Sequence, residues 1–305
     1  MRRRNRRSGR SVNGILLLDK PAGISSNAAL QEVKKLFQAR KAGHTGSLDP
    51  LATGMLPICM GQATKLSAFL LEADKSYHVM IQLGVTTTTG DAEGEIVKTH
   101  AVDVIGNDEI QEVLARFTGE IEQVPPMYSA VKQNGMPLYK LARQGIEVER
   151  KPRKVWIHEL NLLNLSGDLL EIEVSCSKGT YIRTLAEDIG EALGCGGYVS
   201  ALRRNSVAGF STDGMVTLEA LEGAAQDGLA ALDKYLFSME SALSHWPAVR
   251  LSAEVAYFFQ QGQAVFVPRA PARGYVRIYE GGDRFLGVGC ILDDGRIAPK
   301  RLINR

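Results

Sequence analysis

Residues 155–194 read VWIHELNLLNLSGDLLEIEVSCSKGTYIRTLAEDIGEALG, and the order of patterns inside this stretch decides the fold class. Val155 to Leu165 and Leu169 to Cys176 are strand-like runs separated by Ser166-Gly167-Asp168, which reads as a hairpin turn. After Ser177-Lys178-Gly179, residues Ile182, Leu185, Ile189 and Leu193 fall on one face of a helix that Gly194 ends. An antiparallel hairpin running into a helix does not build a doubly wound parallel sheet, so the expected class is α+β.

Upstream, Tyr77, Val79, Ile81 and Leu83 alternate with His78, Met80 and Gln82, as a half-buried strand requires. Gly14 to Leu18 is a short buried strand. Ser25-Ser26-Asn27 offers a cap to a helix carrying Ala29, Val33, Leu36 and Phe37, and Leu66, Phe69 and Leu70 mark another helical stretch. Asn107 is placed to cap a helix with Ile110, Val113, Leu114 and Phe117. From Gly43 to Gly61 the chain is rich in Gly, Pro and Thr without a sustained period, which predicts a long loop. Beyond Trp246-Pro247 come short β-rich runs, Tyr275 to Tyr279 and Phe285 to Ile291, and an Asp293-Asp294-Gly295 turn. These divide the chain into a flexible basic arm (1–12), a main domain (13–245) and a small β-barrel domain (249–305).

The 305 residues, 45% hydrophobic and 23% charged, exclude disorder and collagen-like repetition. The net charge of +2 conceals an uneven distribution. Arg2, Arg3, Arg4, Arg6, Arg7 and Arg10 stand in a start without acids. Residues 128–154 hold seven basic side chains against two acidic ones and read as a basic flap; residues 249–305 hold nine against five. Residues 213–244 hold six acidic side chains against one basic, a stretch that would repel a phosphate backbone. The apolar run Ile15 to Leu18 is broken at Asp19-Lys20, and no run reaches membrane-spanning length. Cys59, Cys176, Cys195 and Cys290 are widely spaced without a C-x-x-C pair, so buried reduced thiols in a cytoplasmic protein are expected, with no metal site.

The densest group of reactive residues is Gly43-His44-Thr45-Gly46-Ser47-Leu48-Asp49-Pro50-Leu51-Ala52-Thr53-Gly54-Met55-Leu56-Pro57. One carboxylate between Leu48 and Pro50 suits a nucleophile or base. Read alone, Asp49 equally fits a turn before proline, and His44 a satisfied structural histidine.

This stretch, together with Asn13 to Asn27, Lys75-Ser76-Tyr77, Val124 to Ala130 and Cys176 to Thr184, resembles the bacterial TruB family of tRNA pseudouridine-55 synthases. The resemblance covers nearly the whole chain in the expected order. It implies a pseudouridine-synthase-like catalytic domain with a mixed, mainly antiparallel sheet and a cleft across it, followed by a PUA-like β-barrel that binds RNA. It implies that Asp49 is the catalytic nucleophile, that Tyr77 stacks on the target uracil and that Arg183 partners the carboxylate. His44, Tyr181 and Leu202 match positions that contact the extruded nucleotide or shape its pocket, and Lys20, in a segment that supports the active-site loop, is placed with them among the substrate-binding residues. The implied substrate is uridine 55 in the T-arm of tRNA. The enzyme is expected to act as a monomer with no obligatory protein partner, no membrane and no cofactor, because the isomerisation gains and loses no atoms.

The residues leave alternatives beside these roles. Arg183 could pair along a helix surface with Glu187 at i,i+4, and Tyr77 could be a core aromatic at a strand end. Thr88 stands where many relatives have Asp, which puts one supporting hydrogen bond in question but leaves Asp91. The small Ser47 fits its family position. Other functions weighed are a tRNA-binding folding helper whose role does not need catalysis, and a glycosylase that releases uracil from the same bond. Asp49, Tyr77 and Arg183 together favour the isomerase.

Overall fold

A computed structural model of the chain describes residues 9–303. Arg2 to Arg7, most of the expected basic arm, lie outside these residues. Arg10, assigned to the same arm, belongs instead to the folded body. Its guanidinium pairs with both carboxylate oxygens of Asp233 and donates through Nε to the Phe37 carbonyl at 2.9 Å.

The main body is built on one eight-stranded mixed sheet. Its spatial order is Gly14–Lys20, Thr53–Met60, Gly197–Val207, Lys75–Leu83, Leu169–Cys176, Arg153–Ser166 and Gly119–Gln123, with Ala42–His44 also paired to Thr53–Met60. Every neighbouring pair is antiparallel except Gly197–Val207 with Thr53–Met60, which run parallel where Arg203 meets Thr53 and Arg204 meets Gly54. Lys75–Leu83 shows the expected alternation, with Lys75, Tyr77, Val79, Ile81 and Leu83 buried and the residues between them half-exposed. Its buried side packs against Ile182, Leu185 and Ile189 of the helix Ile182–Ala192 and against Ile110 and Val113 of the helix Asn107–Arg116. The hairpin at residues 153–176 forms as expected, and Gly167 supplies the left-handed residue of its turn (φ +59°).

The long loop expected from Gly43 to Gly61 is largely absent. Thr53–Met60 is a strand with seven of its eight residues buried. It shows no alternation because both faces are covered. Leu56, Ile58 and Met60 lie with Ala29 and Val33 of the helix Ser26–Leu36, while Met55 and Cys59 lie with Leu66 and Leu70. The two residues that looked like loop signals have specific work in the strand. Gly54 adopts φ +93°, and a Cβ there would stand 2.3 Å from the Arg204 carbonyl oxygen, so glycine is what lets the parallel neighbour approach. Pro57, which lacks an N–H, pairs opposite Leu17 and uses its carbonyl to accept the Thr45 N–H at 3.1 Å.

Two smaller expectations change. Asn107 is the first residue of its helix; Gly106 takes the cap position, and no side chain caps this end. The last domain also contains a helix, Ala253–Gln260, begun by Ser252 accepting the Val255 N–H at 3.4 Å. Around it Ala248–Leu251, Tyr275–Glu280, Arg284–Ile291 and Ile297–Leu302 form a four-stranded sheet, and Val265 bridges to Ile297 at one edge. Phe69, Trp246 and Tyr275 join this domain to the main body as a cluster with ring centroids 4.9–5.5 Å apart. Lys65 Nζ adds a bond to the Leu302 carbonyl at 2.7 Å.

Cys59, Cys176 and Cys195 are buried free thiols, whereas Cys290 is only half-buried. Among the described residues no helix is long and apolar enough to cross a membrane.

Candidate active site

The site lies where the sheet divides. Along one edge of Thr53–Met60, the strand Gly197–Val207 pairs with Thr53 and Gly54, and Ala42–His44 pairs with Ile58 to Met60. Between them Met55 to Pro57 have no strand neighbour on that side, so their polar groups find other partners. Arg204 Nε donates to the Met55 carbonyl at 2.7 Å, and Arg204 Nη2 to the Gly46 carbonyl at 3.0 Å.

Residues 45–52 form the loop at this opening, and both neighbours of Asp49 are pinned. The buried Ser26 hydroxyl accepts the Leu48 N–H at 2.7 Å and donates to the Leu48 carbonyl at 2.9 Å. The Pro50 carbonyl accepts the Gly23 N–H at 2.8 Å and Lys20 Nζ at 3.2 Å. Ser26→Ala leaves two buried peptide groups unsatisfied, about 1–3 kcal/mol each at most. We expect a lower urea midpoint and a fall in turnover with RNA affinity retained.

Lys20, expected among the substrate-binding residues, is fully buried. Its three ammonium protons go to the carbonyls of Pro21 (2.8 Å), Ile24 (2.8 Å) and Pro50. It therefore has no proton to offer a nucleotide, and its role is to fix the loop from beneath. Burial pulls its pKa down to about 8, against the pull of Asp49.

Asp49 keeps 40% of its side chain exposed to the cleft. Its Oδ2 is 3.0 Å from Nε of Arg183, which is itself 7% exposed. Arg183 is a hub. Nη1 donates to the Thr89 carbonyl at 2.9 Å and lies 3.5 Å from Asp91 Oδ2, and Nη2 donates to the Tyr128 carbonyl at 2.7 Å. Its orientation is thus set by the helix Ile182–Ala192, the turn after Thr87 and the root of the flap. Glu187, the alternative i,i+4 partner, makes no ion pair with it.

The surrounding protein pushes the Asp49 pKa up, Arg183 draws it down, Asp91 pushes it up and Lys20 draws it down; the balance lies above the ordinary carboxylate value. Arg183 therefore opposes a burial penalty without cancelling it. Asp91 is almost fully buried and accepts from the Thr89 hydroxyl and from the Glu93 N–H (3.1 Å). Thr88 closes the same turn, its hydroxyl accepting the Glu95 N–H at 3.1 Å, and Asp91 stands behind Arg183.

Tyr77 lies in the buried cluster that contains Leu48 and Leu202. Leu202 sits one strand over, paired with Val79. Tyr181 precedes the Arg183 helix and is clamped by Gln123, which accepts the Tyr181 N–H at 3.0 Å and donates to its carbonyl at 3.2 Å. His44 ends its strand on the other wall of the division. Burial and Arg204 lower its pKa, and its Nδ1 is a buried atom without a partner, as is the Thr45 hydroxyl. The structure thus gathers Asp49, Arg183, Tyr77 and Leu202, places His44 and Tyr181 at the margins, and puts Lys20 below the loop.

Sequence reasoning missed Ser26, Gln123 and Arg204. Arg204 had a usable signal. In Leu202-Arg203-Arg204 it shares parity with the apolar Leu202, so one of two adjacent arginines had to point inward. Arg203 faces out and pairs with both carboxylate oxygens of Asp19 at 3.0 and 2.8 Å.

A model for the N-terminal domain of TruB family pseudouridylate synthases matches residues 34–182. A model for the tRNA pseudouridylate synthase B C-terminal domain matches 183–244, and one for the C-terminal region of pseudouridine synthase II TruB matches 247–303. The chain is 60% identical over 303 residues to tRNA pseudouridine synthase B of Nitrosococcus oceani, covering 99% of this chain and 98% of that protein. It is 56% identical over 297 residues to tRNA pseudouridine synthase B of Coxiella burnetii, covering 97% and 96%. The solved structure of an H/ACA RNP bound to a substrate RNA containing 2′-deoxyuridine matches with TM-score 0.73 and 25% identity, covering 96% of this chain and 85% of that one.

The names of relatives matched over nearly the whole chain make this an isomerase acting on tRNA uridine. The chain belongs to the TruB family of pseudouridylate synthases.

Proposed function

We propose that the protein converts uridine 55 in the T-arm of tRNA to pseudouridine, with Asp49 as nucleophile on a nucleotide turned out of the RNA. The observation that carries this reading is an accessible carboxylate whose two chain neighbours are pinned and which is aimed by a buried arginine, on a loop whose Leu48 packs in the same buried cluster as Tyr77. The names of the relatives support tRNA as the substrate.

The reaction breaks the C1′–N1 bond, turns the uracil and joins C1′ to C5. An ionised carboxylate attacks C1′ or assists elimination from the sugar, and the departing uracil carries the bond's electron pair. A uracil stacked in folded tRNA is out of reach, and turning it out costs a few kcal/mol. Tyr77 supplies a face for the base, and His44, Tyr181 and Leu202 bound its pocket. The basic flap and the PUA-like C-terminal domain offset the cost through phosphate contacts, while the acidic 213–244 segment stays clear of the backbone. The protein acts in the cytoplasm, as a monomer and without a cofactor.

The test uses an unmodified T-arm stem-loop carrying tritium at C5 of the target uridine. We expect tritium release at the rate of pseudouridine formation with no free uracil. Free uracil would replace this reading with a glycosylase, and RNA binding without tritium release would replace it with a folding helper.

A further inference from the structure

Among the described residues Arg204 is the largest fully buried side chain, with 1% of its surface exposed. Among the described residues no carboxylate is within ion-pair distance of it, and its two hydrogen bonds go to the neutral carbonyls of Met55 and Gly46. A buried guanidinium without a counter-ion is costly, and arginine cannot escape the cost by losing its proton. The mechanism described so far does not use it.

Its place in the sheet shows what it serves. Arg204 and Tyr77 are direct cross-strand partners, so their side chains leave the same face with Cβ atoms about 5 Å apart. That face is the one closed by Gly46 and Met55, beneath the Asp49 loop. We infer that Arg204 is a positioning residue for proton transfer, acting through Tyr77 by holding positive charge beside the hydroxyl while it is ionised. The inference rests on the roles proposed above for Asp49 and Tyr77.

The proton balance of the isomerisation requires such a group, since C5 loses a proton and N1 gains one. When the C1′–N1 bond breaks, its electron pair leaves on the uracil, and the Tyr77 hydroxyl gives its proton to that anion and becomes a phenolate. C1′ then bonds to C5 as any bond it has formed to Asp49 breaks and returns the carboxylate; the phenolate takes the C5 proton, and the C–H electron pair restores the ring double bond. Tyr77 ends as it began. Burial alone opposes this cycle because it raises the cost of the phenolate, and Arg204 works against that cost.

The other ionisable groups facing Tyr77 do not supply this charge. Cys176 is a thiol raised to about 11 by burial, Asp49 is an acid, and His44 is driven toward its neutral form. Lys75, lowered to about 8, stays largely charged at neutral pH, but its ammonium is committed to the Leu71 and Ala73 carbonyls.

The experiment compares full-length Arg204→Gln and Arg204→Lys, each alone and combined with Tyr77→Phe, in single-turnover reactions on T-arm RNA with protium or deuterium at C5. We expect Arg204→Gln to slow turnover on the order of a hundredfold, with RNA affinity unchanged and a larger C5 isotope effect than wild type. Arg204→Lys should recover most of the rate. On Tyr77→Phe, either change should add less than a twofold loss. Losses that multiply in the double variants would overturn the inference, as would a slow Arg204→Gln enzyme with the wild-type isotope effect. If Arg204→Gln does not fold, Arg204→Met, which keeps an unbranched stem and loses the charge, carries the same comparison. An inactive wild type, or one that releases uracil, would instead fail the reading of the site itself.

Discussion

Asp49→Asn is expected to reduce pseudouridine formation by on the order of 10⁴-fold or more while leaving T-arm RNA affinity within a few-fold. The amide cannot attack C1′ or carry the developing charge, but it occupies the same volume on a loop whose neighbours are held by Ser26, Gly23 and Lys20. Arg183 keeps Asp91 as a counter-ion, so the fold should persist. Single-turnover rates and equilibrium binding on the same RNA check both halves; an active Asp49→Asn enzyme would remove Asp49 from the role of nucleophile.

The wild-type pH profile follows from the same environment. The reactive form is the carboxylate, and its pKa is raised, so kcat/KM should fall with decreasing pH through a value above the ordinary carboxylate range. Asp91 is one of the groups pushing upward. Asp91→Asn should therefore move this acid limb to lower pH, even if it lowers the plateau.

Arg183→Met should be the most damaging substitution for stability. It removes the cation from Asp91, which is 2% exposed, and deletes donors to the Thr89 and Tyr128 carbonyls. Breaking a buried pair on one side costs about 3–5 kcal/mol. Loss of aim at Asp49 should lower turnover by on the order of 10²-fold or more. Denaturant unfolding measures the first effect. Adding Asp91→Asn should restore part of the stability and none of the rate, whereas equal stability of Arg183→Met and wild type would show that the buried network contributes little to folding.

The sequence makes amphipathic elements visible and hides those covered on both sides. Lys75–Leu83 and the helix carrying Leu185 and Ile189 each bury one face, and their periods expose them. Thr53–Met60 is buried throughout, and its Gly54 and Pro57 look like punctuation until the neighbouring strand is in place. At the site, Asp49 and Arg183 are reachable through family motifs. Arg204 is not, because arginine ordinarily reads as surface and only its parity with Leu202 says otherwise. Lys20 shows a middle case. The resemblance implies that its segment supports the active-site loop, and the occupation of its three protons by Pro21, Ile24 and Pro50 shows how, which no sequence pattern displays.

Below about pH 8 that lysine gives the loop an internal cation. Where another protein might gather three carbonyl oxygens around a dissociable ion, this one gathers those of Pro21, Ile24 and Pro50 around an ammonium tethered to its own backbone. A tethered amine answers to protons alone, with its equilibrium at about pH 8, and to no metal ion. The order of these three carbonyls is consequently independent of ion concentration, and it travels with the chain wherever the chain folds.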